Sequence, residues 1–340
     1  MKKKFITLFF CLLIAASVFS SGKKETVIGC AAYKYEDPFI SGMRAVISEQ
    51  AGDKAKIIFG DGLGLQLTQN DQLDEFFNDD VDSIIVNIVD RSAVGAVIKK
   101  AEKKDIPLVF INREPYPSDM YYWVGNVYYV GSIASDSGYM QGQMVAEYWK
   151  SHPEADINND GILQYVILKG ESGNQDSIQR SEYCIKALSE EGIASQKLDS
   201  GFAQWSRVKA QNIMTNMLSE YGDNIEAVFS NNDEMALGAI DALKIEGYFS
   251  EDKYIPVVGC DASSTALKAI QDGTLLGTVL NDSYNQAKAA FNLAYVMASD
   301  EEPTSDNIGY TITNNKYVWI PYEKVTKENF MSFYAKSKTL

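Results

Sequence analysis

Histidine and paired cysteine are scarce in this sequence of 340 residues. His152 is the only histidine, and the four cysteines, Cys11, Cys30, Cys184 and Cys260, form no C-x-x-C pair. A structural zinc site draws its ligands from several cysteines and histidines, and a serine-type triad needs a positioned histidine. The sequence therefore argues against both kinds of site. Cys30 and Cys260 lie in apolar, strand-like runs, which predicts buried thiols.

Long apolar runs are missing as well, apart from one at the start. Lys2–Lys4 is basic and Phe5–Ala16 is apolar, which predicts a signal peptide over residues 1–21. The run is shorter than the ~20 apolar residues of a transmembrane helix. Cys30 stands in a segment that resembles a lipid-attachment box, but the charged Lys23–Glu25 separates it from the apolar run. We expect an exported, periplasmic protein without a lipid anchor.

The excess of acidic side chains argues against nucleic acid and anionic lipid as partners. The chain has 46 Asp and Glu residues against 31 Lys and Arg, a formal net charge of −15. Such a protein is a poor candidate for binding nucleic acid or anionic lipid. Solubility alone explains the charge equally well. The length and the apolar content of 46% suit two domains with sizeable cores.

Short apolar runs alternate with amphipathic stretches along the chain. The predicted strands are Val27–Ala32, Ile57–Phe59, Ser83–Ile88, Pro107–Asn112, Gln164–Leu168, Ala227–Ser230, Pro256–Gly259 and Gly277–Leu280. The predicted helices include Gly42–Glu49, Val94–Lys103, Ser137–Lys150, Gln179–Glu190 and Val208–Leu218. This alternation is typical of parallel sheets covered by helices. One series precedes residue 130 and another follows it, so the sequence predicts an α/β fold with two units.

Asn and Asp recur where the predicted strands end. The polar strand ends are Tyr33–Asp37, Asn87–Asp90, Asn112–Glu114, Gly170–Asp176, Asn231–Asp233, Asp261 and Asn281–Asp282. In open parallel sheets ligands bind outside the carboxyl ends of the strands. Capping of the helices that follow is the alternative explanation, and it accounts for about half of these residues.

Such side chains match the chemistry of a sugar. A hydroxyl group both donates and accepts hydrogen bonds, and carboxylates, amides and guanidinium groups supply the complementary partners. The C–H faces of a sugar ring suit flat aromatic side chains. Phe39 and Trp205 lie in loop-like contexts near the strand ends of the first and second series. Burial in a core is the alternative for each of them taken alone.

The most specific motif is a loop rich in oxygen ligands. Asp156, Asn158, Asp160 and Gln164 fall at positions one, three, five and nine of an EF-hand loop, with Gly161 at six and the Ile162 carbonyl at seven. Position twelve is an isoleucine, and a strand is predicted after the loop. A calcium site would therefore need a carboxylate from elsewhere in the chain. An Asx-rich surface turn is the alternative.

The sequence resembles the periplasmic glucose/galactose-binding proteins of sugar transport and chemotaxis over nearly all of the chain after the leader. The matching segments, in order, are Tyr33–Phe39, Gln69–Gln72, Asn87–Asp90, Asn112–Pro115, Tyr129–Gly131, the Asp156 loop, Lys169–Glu171, Asn231–Asp233, Gly259–Ala262, Thr278–Asp282 and Asn285–Lys288. So many matches in register are far more specific than any single motif.

The resemblance implies two Rossmann-like lobes with parallel sheets, joined by a three-segment hinge in the periplasmic binding protein type 1 arrangement. The implied N-terminal lobe comprises residues 26–131 and 283–318, and the implied C-terminal lobe comprises residues 132–280 and 321–340. Crossings are expected near Gly131, Asp282 and Pro321, with a sugar site between the lobes.

The resemblance also implies roles for individual residues. The implied sugar ligands are Asp37, Phe39, Asn87, Asn174, Asp176, Arg180, Trp205, Asn232, Asp261 and Asn281, with Phe39 and Trp205 stacking on opposite faces of the sugar. Asn174 stands where the family usually has a histidine, so the preference between glucose and galactose is open. Glu226 takes the place of the distant glutamate that closes the family's calcium loop, which implies a structural Ca²⁺ ion.

The function implied is binding of D-glucose or D-galactose by hinge closure, without catalysis. The implied partners are an ABC transporter permease and a chemoreceptor, and we expect a monomer. A receptor for ribose or xylose is the main alternative. A glycosidase that uses a pair among Asp37, Asp176 and Asp261 is a second. A sugar-responsive repressor core is a third, but the sequence shows a leader and no helix-turn-helix segment.

Overall fold

A computed structural model of the chain describes residues 25–79, 81–250 and 253–337. Its strands are β1 Thr26–Ala32, β2 Ala55–Asp61, β3 Ser83–Val86, β4 Leu108–Ile111, β5 Val127–Gly131, β6 Leu163–Lys169, β7 Ser195–Phe202, β8 Ala227–Ser230, β9 Val257–Val258, β10 Gly277–Leu280, β11 Tyr317–Trp319 and β12 Glu323–Thr326. Its α-helices are α1 Pro38–Ala51, α2 Gln66–Asn78, α3 Val94–Lys104, α4 Ala134–Ser151, α5 Gln175–Glu190, α6 Arg207–Tyr221, α7 Asp233–Ile245, α8 Ser264–Gln271, α9 Ser283–Met297, α10 Ser305–Ile308 and α11 Phe330–Ser337.

The strands form two six-stranded sheets with the same pattern of connections. Their orders are β11-β5-β4-β3-β1-β2 and β12-β10-β9-β8-β6-β7. All neighbouring strands run parallel except β10 and β12, which are antiparallel. We call the units built on these sheets the first and the second lobe. The predicted fold class, two α/β lobes with mostly parallel sheets, is confirmed.

Burial explains most of the strands that could be predicted from the sequence, but not all. The central strands β1, β3, β4 and β8 read as short apolar runs because helices cover both faces of the sheets. Strand β7 was not predicted, since it lies at a sheet edge, is partly exposed and carries polar residues. Strand β5 was also missed, although all its residues are buried.

The chain passes between the lobes at three places. Strand β5 leads into α4, which packs against α5 and β10 of the second lobe. Strand β10 leads into α9, which returns to pack against α1, β3 and β4 of the first lobe. The third passage joins β11 to β12.

The predicted signal peptide, residues 1–21, lies outside the described residues. Within the described ranges, no helix combines the length and the apolar character needed to cross a membrane.

Two glycines allow α4 and α5 to approach closely. A Cβ atom on Gly138 would lie 2.5 Å from the carbonyl oxygen of Arg180, and one on Gly142 would lie 2.3 Å from that of Cys184. Both clashes involve backbone, which cannot move aside without shifting α5. Because α5 carries Asp176 and Arg180, this contact also fixes the position of two predicted ligands.

We predict that Gly142→Ala lowers the free energy of unfolding by about 1–3 kcal/mol, the usual cost of overpacking a close contact. Gly42→Ala in α1 is the control, since its Cβ would meet only the hydroxyl oxygen of Ser283 at 3.9 Å. That change should be neutral or stabilising by up to ~1 kcal/mol because alanine has the higher helix propensity. Urea unfolding of both variants tests this, and equal stabilities would contradict the packing argument.

Candidate functional site

A cavity lies between the lobes, where the carboxyl ends of both sheets face each other. Its walls are formed by Tyr33, Asp37, Phe39, Ile40, Asn112, Arg113, Asn174, Asp176, Arg180, Trp205, Asn232, Asp261 and Asn281. The volume between these side chains is about 40 Å³, whereas ligand pockets usually measure roughly 300 Å³ or more. A wider space of about 910 Å³ adjoins the cavity and shares Asp37, Phe39, Asn232, Asp261 and Asn281 with its wall.

The structure brings nine of the ten predicted sugar ligands to this cavity. From the first lobe come Asp37 and Phe39, and the second lobe and its connections supply Asn174, Asp176, Arg180, Trp205, Asn232, Asp261 and Asn281. Their chemistry is mixed, with carboxylates, amides and a guanidinium group beside two aromatic rings. Such a set can exchange hydrogen bonds in both directions with a polyhydroxylated ligand.

Asn87 is the exception, and its placement in the cavity is corrected. Its side chain is 4% exposed and is used within the first lobe. The amide oxygen accepts from the backbone N–H of Tyr33 at 3.2 Å. The amide nitrogen donates to the Ile111 carbonyl at 3.0 Å and to Asn112 Oδ1 at 3.1 Å. Asn87 thus supports Tyr33 and Asn112, which do line the cavity.

Several cavity residues also cap helices. Asp37 Oδ1 accepts from the backbone N–H of Phe39 at 2.9 Å at the start of α1. Asn174 Oδ1 accepts from Ser177 N at 3.1 Å, and Asn232 Oδ1 accepts from Met235 N at 3.0 Å. Capping and ligand binding are therefore compatible, because a capping asparagine keeps its NH₂ group free to donate.

Arg180 is the most buried charged residue of the cavity wall, with 2% of its surface exposed. It donates to the Asn231 carbonyl at 2.7 Å, to the Tyr322 hydroxyl at 3.0 Å and to Asp176 Oδ2 at 3.2 Å. Its Nε atom has no hydrogen-bond partner among the described residues. Because an unpaired buried donor is costly, this atom is suited to a ligand oxygen at the cavity wall.

Trp205 reaches the cavity because a glycine lies beneath its ring. A Cβ atom on Gly170 would lie 2.2 Å from the indole, so no other residue fits there without moving the ring. Trp205 itself has a φ of 61°, a left-handed conformation that is uncommon for a bulky residue. The Arg180 guanidinium carbon lies 6.0 Å from the centre of the ring.

Asp261 and Asp233 place two carboxyl groups in a poorly solvated region. Burial raises the pKa of Asp261 well above its ordinary value, while the Arg180 cation lowers it and the charges of Asp233 and Asp37 raise it. Burial also raises the pKa of Asp233, against hydrogen bonds from the Thr278 hydroxyl at 2.6 Å and from the Ser263 backbone N–H at 2.8 Å.

Sequence reasoning missed three polar residues of the wall. Tyr33, Asn112 and Arg113 all lie within the polar strand ends and the matching segments, so a signal was present. Asn112 has a φ of 64°, a left-handed conformation that asparagine tolerates. The Arg113 guanidinium lies 3.6 Å from the centre of the Tyr33 ring, a cation–π contact. The sequence could not show that β4, rather than β3, delivers the asparagine to the cavity.

The Asp156 loop lies at the opposite end of β6 from the cavity. Asp156 accepts from the backbone N–H groups of Asp160 at 3.1 Å and Gly161 at 2.9 Å. Asn158 Oδ1 accepts from Asp160 N at 2.9 Å, and Asp160 Oδ1 accepts from Ile162 N at 2.8 Å. These bonds form a compact Asx-rich turn.

Glu226 joins this loop, as the resemblance implies. Its carboxylate is buried and accepts from Ile157 N and Gln164 N, both at 2.9 Å. Burial raises its pKa, hydrogen bonds to those two N–H groups lower it, and the charges of Asp156 and Asp160 raise it. In the described parts of the chain, no three His, Cys, Asp or Glu side chains are grouped closely enough to hold a metal ion. Calcium binding stays a prediction.

The raised pKa of Asp261 predicts a pH-dependent stability. The folded protein binds this proton more tightly than the unfolded chain, so the free energy of unfolding falls as pH rises from the ordinary carboxyl pKa near ~4 through the raised folded value. Asp261→Asn removes the effect. The free energy of unfolding of the variant minus that of the parent protein, measured with urea, should therefore be more positive at pH 8 than at pH 5. Asp74→Asn, a change at an exposed aspartate, is the control. An equal difference at both pH values would contradict the assignment.

Comparison with known proteins gives consistent matches. Residues 28–302 match the model of the periplasmic binding protein domain. The D-galactose/methyl-galactoside binding periplasmic protein of Haemophilus influenzae is 37% identical over 320 residues, which cover 93% of this chain and 94% of that protein. A putative rhizopine-binding protein of Rhizobium meliloti is 30% identical over 332 residues, 96% of this chain and 99% of that protein.

A solved structure matches over a similar length. It is an ABC transporter solute binding protein of Bacillus halodurans with bound myo-inositol, 30% identical, with a TM-score of 0.78 and coverage of 93% of this chain and all of that one. The match to the domain model extends over most of the sequence and includes both lobes. The chain belongs to the periplasmic binding protein family.

Proposed function

We propose that the protein binds a monosaccharide, D-glucose or D-galactose or both, between its lobes outside the cytoplasm and delivers it to an ABC transporter permease. Binding occurs by hinge closure and is followed by no chemical step. The observation that carries the proposal is the convergence of polar side chains from both lobes with Phe39 and Trp205 in one cavity.

The composition of the cavity wall favours a neutral polyol over a charged ligand. The wall holds the carboxyl groups of Asp37, Asp176 and Asp261 and the guanidinium groups of Arg113 and Arg180, so most of its charge cancels within the wall. Asp176 lies 3.2 Å from the Arg180 guanidinium group. Amide groups at Asn112, Asn174 and Asn232 add donors and acceptors without net charge. The two aromatic rings offer apolar surface for the C–H faces of a pyranose.

The galactose-binding relative supports a hexose as the ligand. The myo-inositol complex of the solved relative favours a cyclic polyol as a second candidate, since a ring bearing hydroxyls on every carbon would meet the same side chains. A ribose- or xylose-like sugar remains the alternative predicted from the sequence. Asn174 supplies an amide at the cavity wall, and we expect the preference between glucose and galactose to depend on this residue.

The partner proteins follow from the family. Closure brings surfaces of both lobes into one fixed arrangement, which a permease can distinguish from the open form. A chemoreceptor would read the same arrangement. The protein acts as a monomer in this proposal, because both halves of the site belong to one chain.

Calorimetric titration of protein freed of sugar by unfolding and refolding tests the proposal. D-glucose or D-galactose should bind with a Kd of roughly 1 μM or tighter, about 8 kcal/mol, as a closed polar site permits. D-ribose, D-xylose and myo-inositol are titrated in parallel to establish the ligand class. Absence of heat with both hexoses in folded, calcium-containing samples would contradict the proposed ligand.

We predict that Asp176→Ala and Asn232→Ala each weaken sugar binding by about 1–3 kcal/mol, roughly 5- to 150-fold, because ligand hydroxyls lose buried partners. Ser206→Ala is the matched control, since Ser206 caps α6 but lies outside the cavity. Melting temperatures establish that each variant is folded. Unchanged affinity in both site variants would refute the assigned residues.

We further propose that the Asp156 loop holds a structural Ca²⁺ ion. Asp156, Asn158, Asp160, Gln164, Glu226 and the carbonyl of Ile162 would supply oxygen ligands, the type that calcium prefers. The loop and Glu226 are already in contact through two backbone hydrogen bonds. A cation there would offset the mutual repulsion of the three carboxylates and link the loop to the segment preceding β8.

Calcium removal tests this second proposal. EGTA should lower the melting temperature by roughly 5 °C or more, since a ligand at 100 times its Kd stabilises the folded state by about 2.7 kcal/mol. Even without EGTA, the Glu226→Gln variant should melt at the lower temperature expected for the calcium-free parent protein, and EGTA should change that temperature little. Glu182→Gln, an exposed change in the same lobe, should respond as the parent protein does. A parent protein that is insensitive to EGTA would exclude the ion.

A further inference from the structure

Two contacts cross the cleft beside the cavity. Arg113 follows β4 in the first lobe, and its Nη2 lies 2.9 Å from Glu171 Oε2 in the loop after β6 of the second lobe. The neighbouring Glu114 accepts a hydrogen bond from the side-chain amide of Gln175 at the start of α5. Two adjacent residues of one lobe thus hold two nearby residues of the other.

The arginine of the first contact is held in place within the first lobe. Arg113 Nη1 donates to the Val89 carbonyl at 2.8 Å, and its guanidinium group lies over the Tyr33 ring. Only 10% of the Arg113 side chain is exposed, against 33% for Glu171. Because the arginine is already ordered, the ion pair needs little further loss of side-chain freedom when the lobes meet.

The second-lobe partners lie beside the ligand cavity. Glu171 and Gln175 line a space of about 440 Å³ that shares Arg113, Asn174 and Asp176 with the central cavity wall, but neither is itself part of that wall. A monosaccharide confined to the central cavity would touch Arg113 but not these two partners.

We propose that Glu171 and Gln175 are positioning residues that latch the closed form of the protein without contacting the sugar. This inference rests on the proposed function, because it concerns closure on a bound ligand. The latch stabilises the closed arrangement, and the cavity wall determines which sugar is bound.

The latch has a thermodynamic signature that a ligand-contacting residue lacks. The apparent Kd equals the intrinsic Kd of the closed form divided by the fraction of protein that is closed. A residue that changes only this fraction alters the affinity for every ligand by the same factor. A residue that touches the sugar alters the ratio of affinities between two sugars.

Titration of the variant Glu171→Gln/Gln175→Ala with two sugars that the parent protein binds tests this signature. We expect both affinities to fall by the same factor, roughly three- to tenfold, for a partly buried charge pair plus one hydrogen bond. The loss should appear in the dissociation rate. Glu191→Gln is the matched control, because it breaks an ion pair within the second lobe and has 34% side-chain exposure.

A readout without sugar comes from the distance between spin labels on the two lobes. Leu67→Cys in α2 and Val208→Cys in α6 place labels on exposed positions, one on each lobe, next to the edge strands far from the hinge. Cys30, Cys184 and Cys260 are buried, and burial raises the pKa of each thiol, so they resist labelling. Cys11 is replaced by serine. The labelled Glu171→Gln/Gln175→Ala variant should populate the short distance of the closed form less than the labelled protein that keeps Glu171 and Gln175.

The outcomes separate the latch from the proposed function. If the parent protein binds no sugar, the proposed function is wrong. The distances between the spin labels still test the latch, because they are measured without sugar. Unchanged affinities together with unchanged distances would overturn the latch. A different factor for the two sugars would also overturn it, because that result would show that Glu171 or Gln175 acts on the ligand.

Discussion

The site depends on one buried cation. Arg180 has almost no exposed surface, and burying a charge is costly unless it is paired with an opposite charge and hydrogen-bonded. Its partners come from three segments: Asp176 on its own helix, the carbonyl of Asn231 after β8, and Tyr322 between β11 and β12. These bonds hold the start of α5, one polar strand end and one hinge connection around a common point.

The two-lobed fold supplies the rest of the geometry. Parallel strands place their carboxyl ends at one edge of each sheet, and the three passages of the chain set those edges opposite each other. Side chains such as Asp37, Asn174 and Asn232 cap the helices that follow and also face the cavity. Local folding signals and ligand groups are therefore the same residues, which keeps each half of the site ordered within its own lobe.

Much of this could be predicted from the sequence, because strands buried on both faces read as apolar runs and polar residues stood at their ends. Polar edge strand β7 gave no such signal. The choice between Asn87 and Asn112 also could not be made, since both follow apolar strands. It depends on the left-handed backbone of Asn112 and on the three hydrogen bonds that hold Asn87 inside the first lobe. Contacts between lobes, such as Arg113 with Glu171, arise only in three dimensions.

In the proposed complex one sugar ring is held between the lobes, with Phe39 and Trp205 on its two faces. A crystal structure of the protein grown with D-galactose or D-glucose tests this most directly. We expect closed lobes, a pyranose between those two rings, and hydroxyl groups bonded to Asp176, Arg180 and Asn232. A sugar bound outside this cavity, or one whose hydroxyls leave these three residues unused, would contradict it.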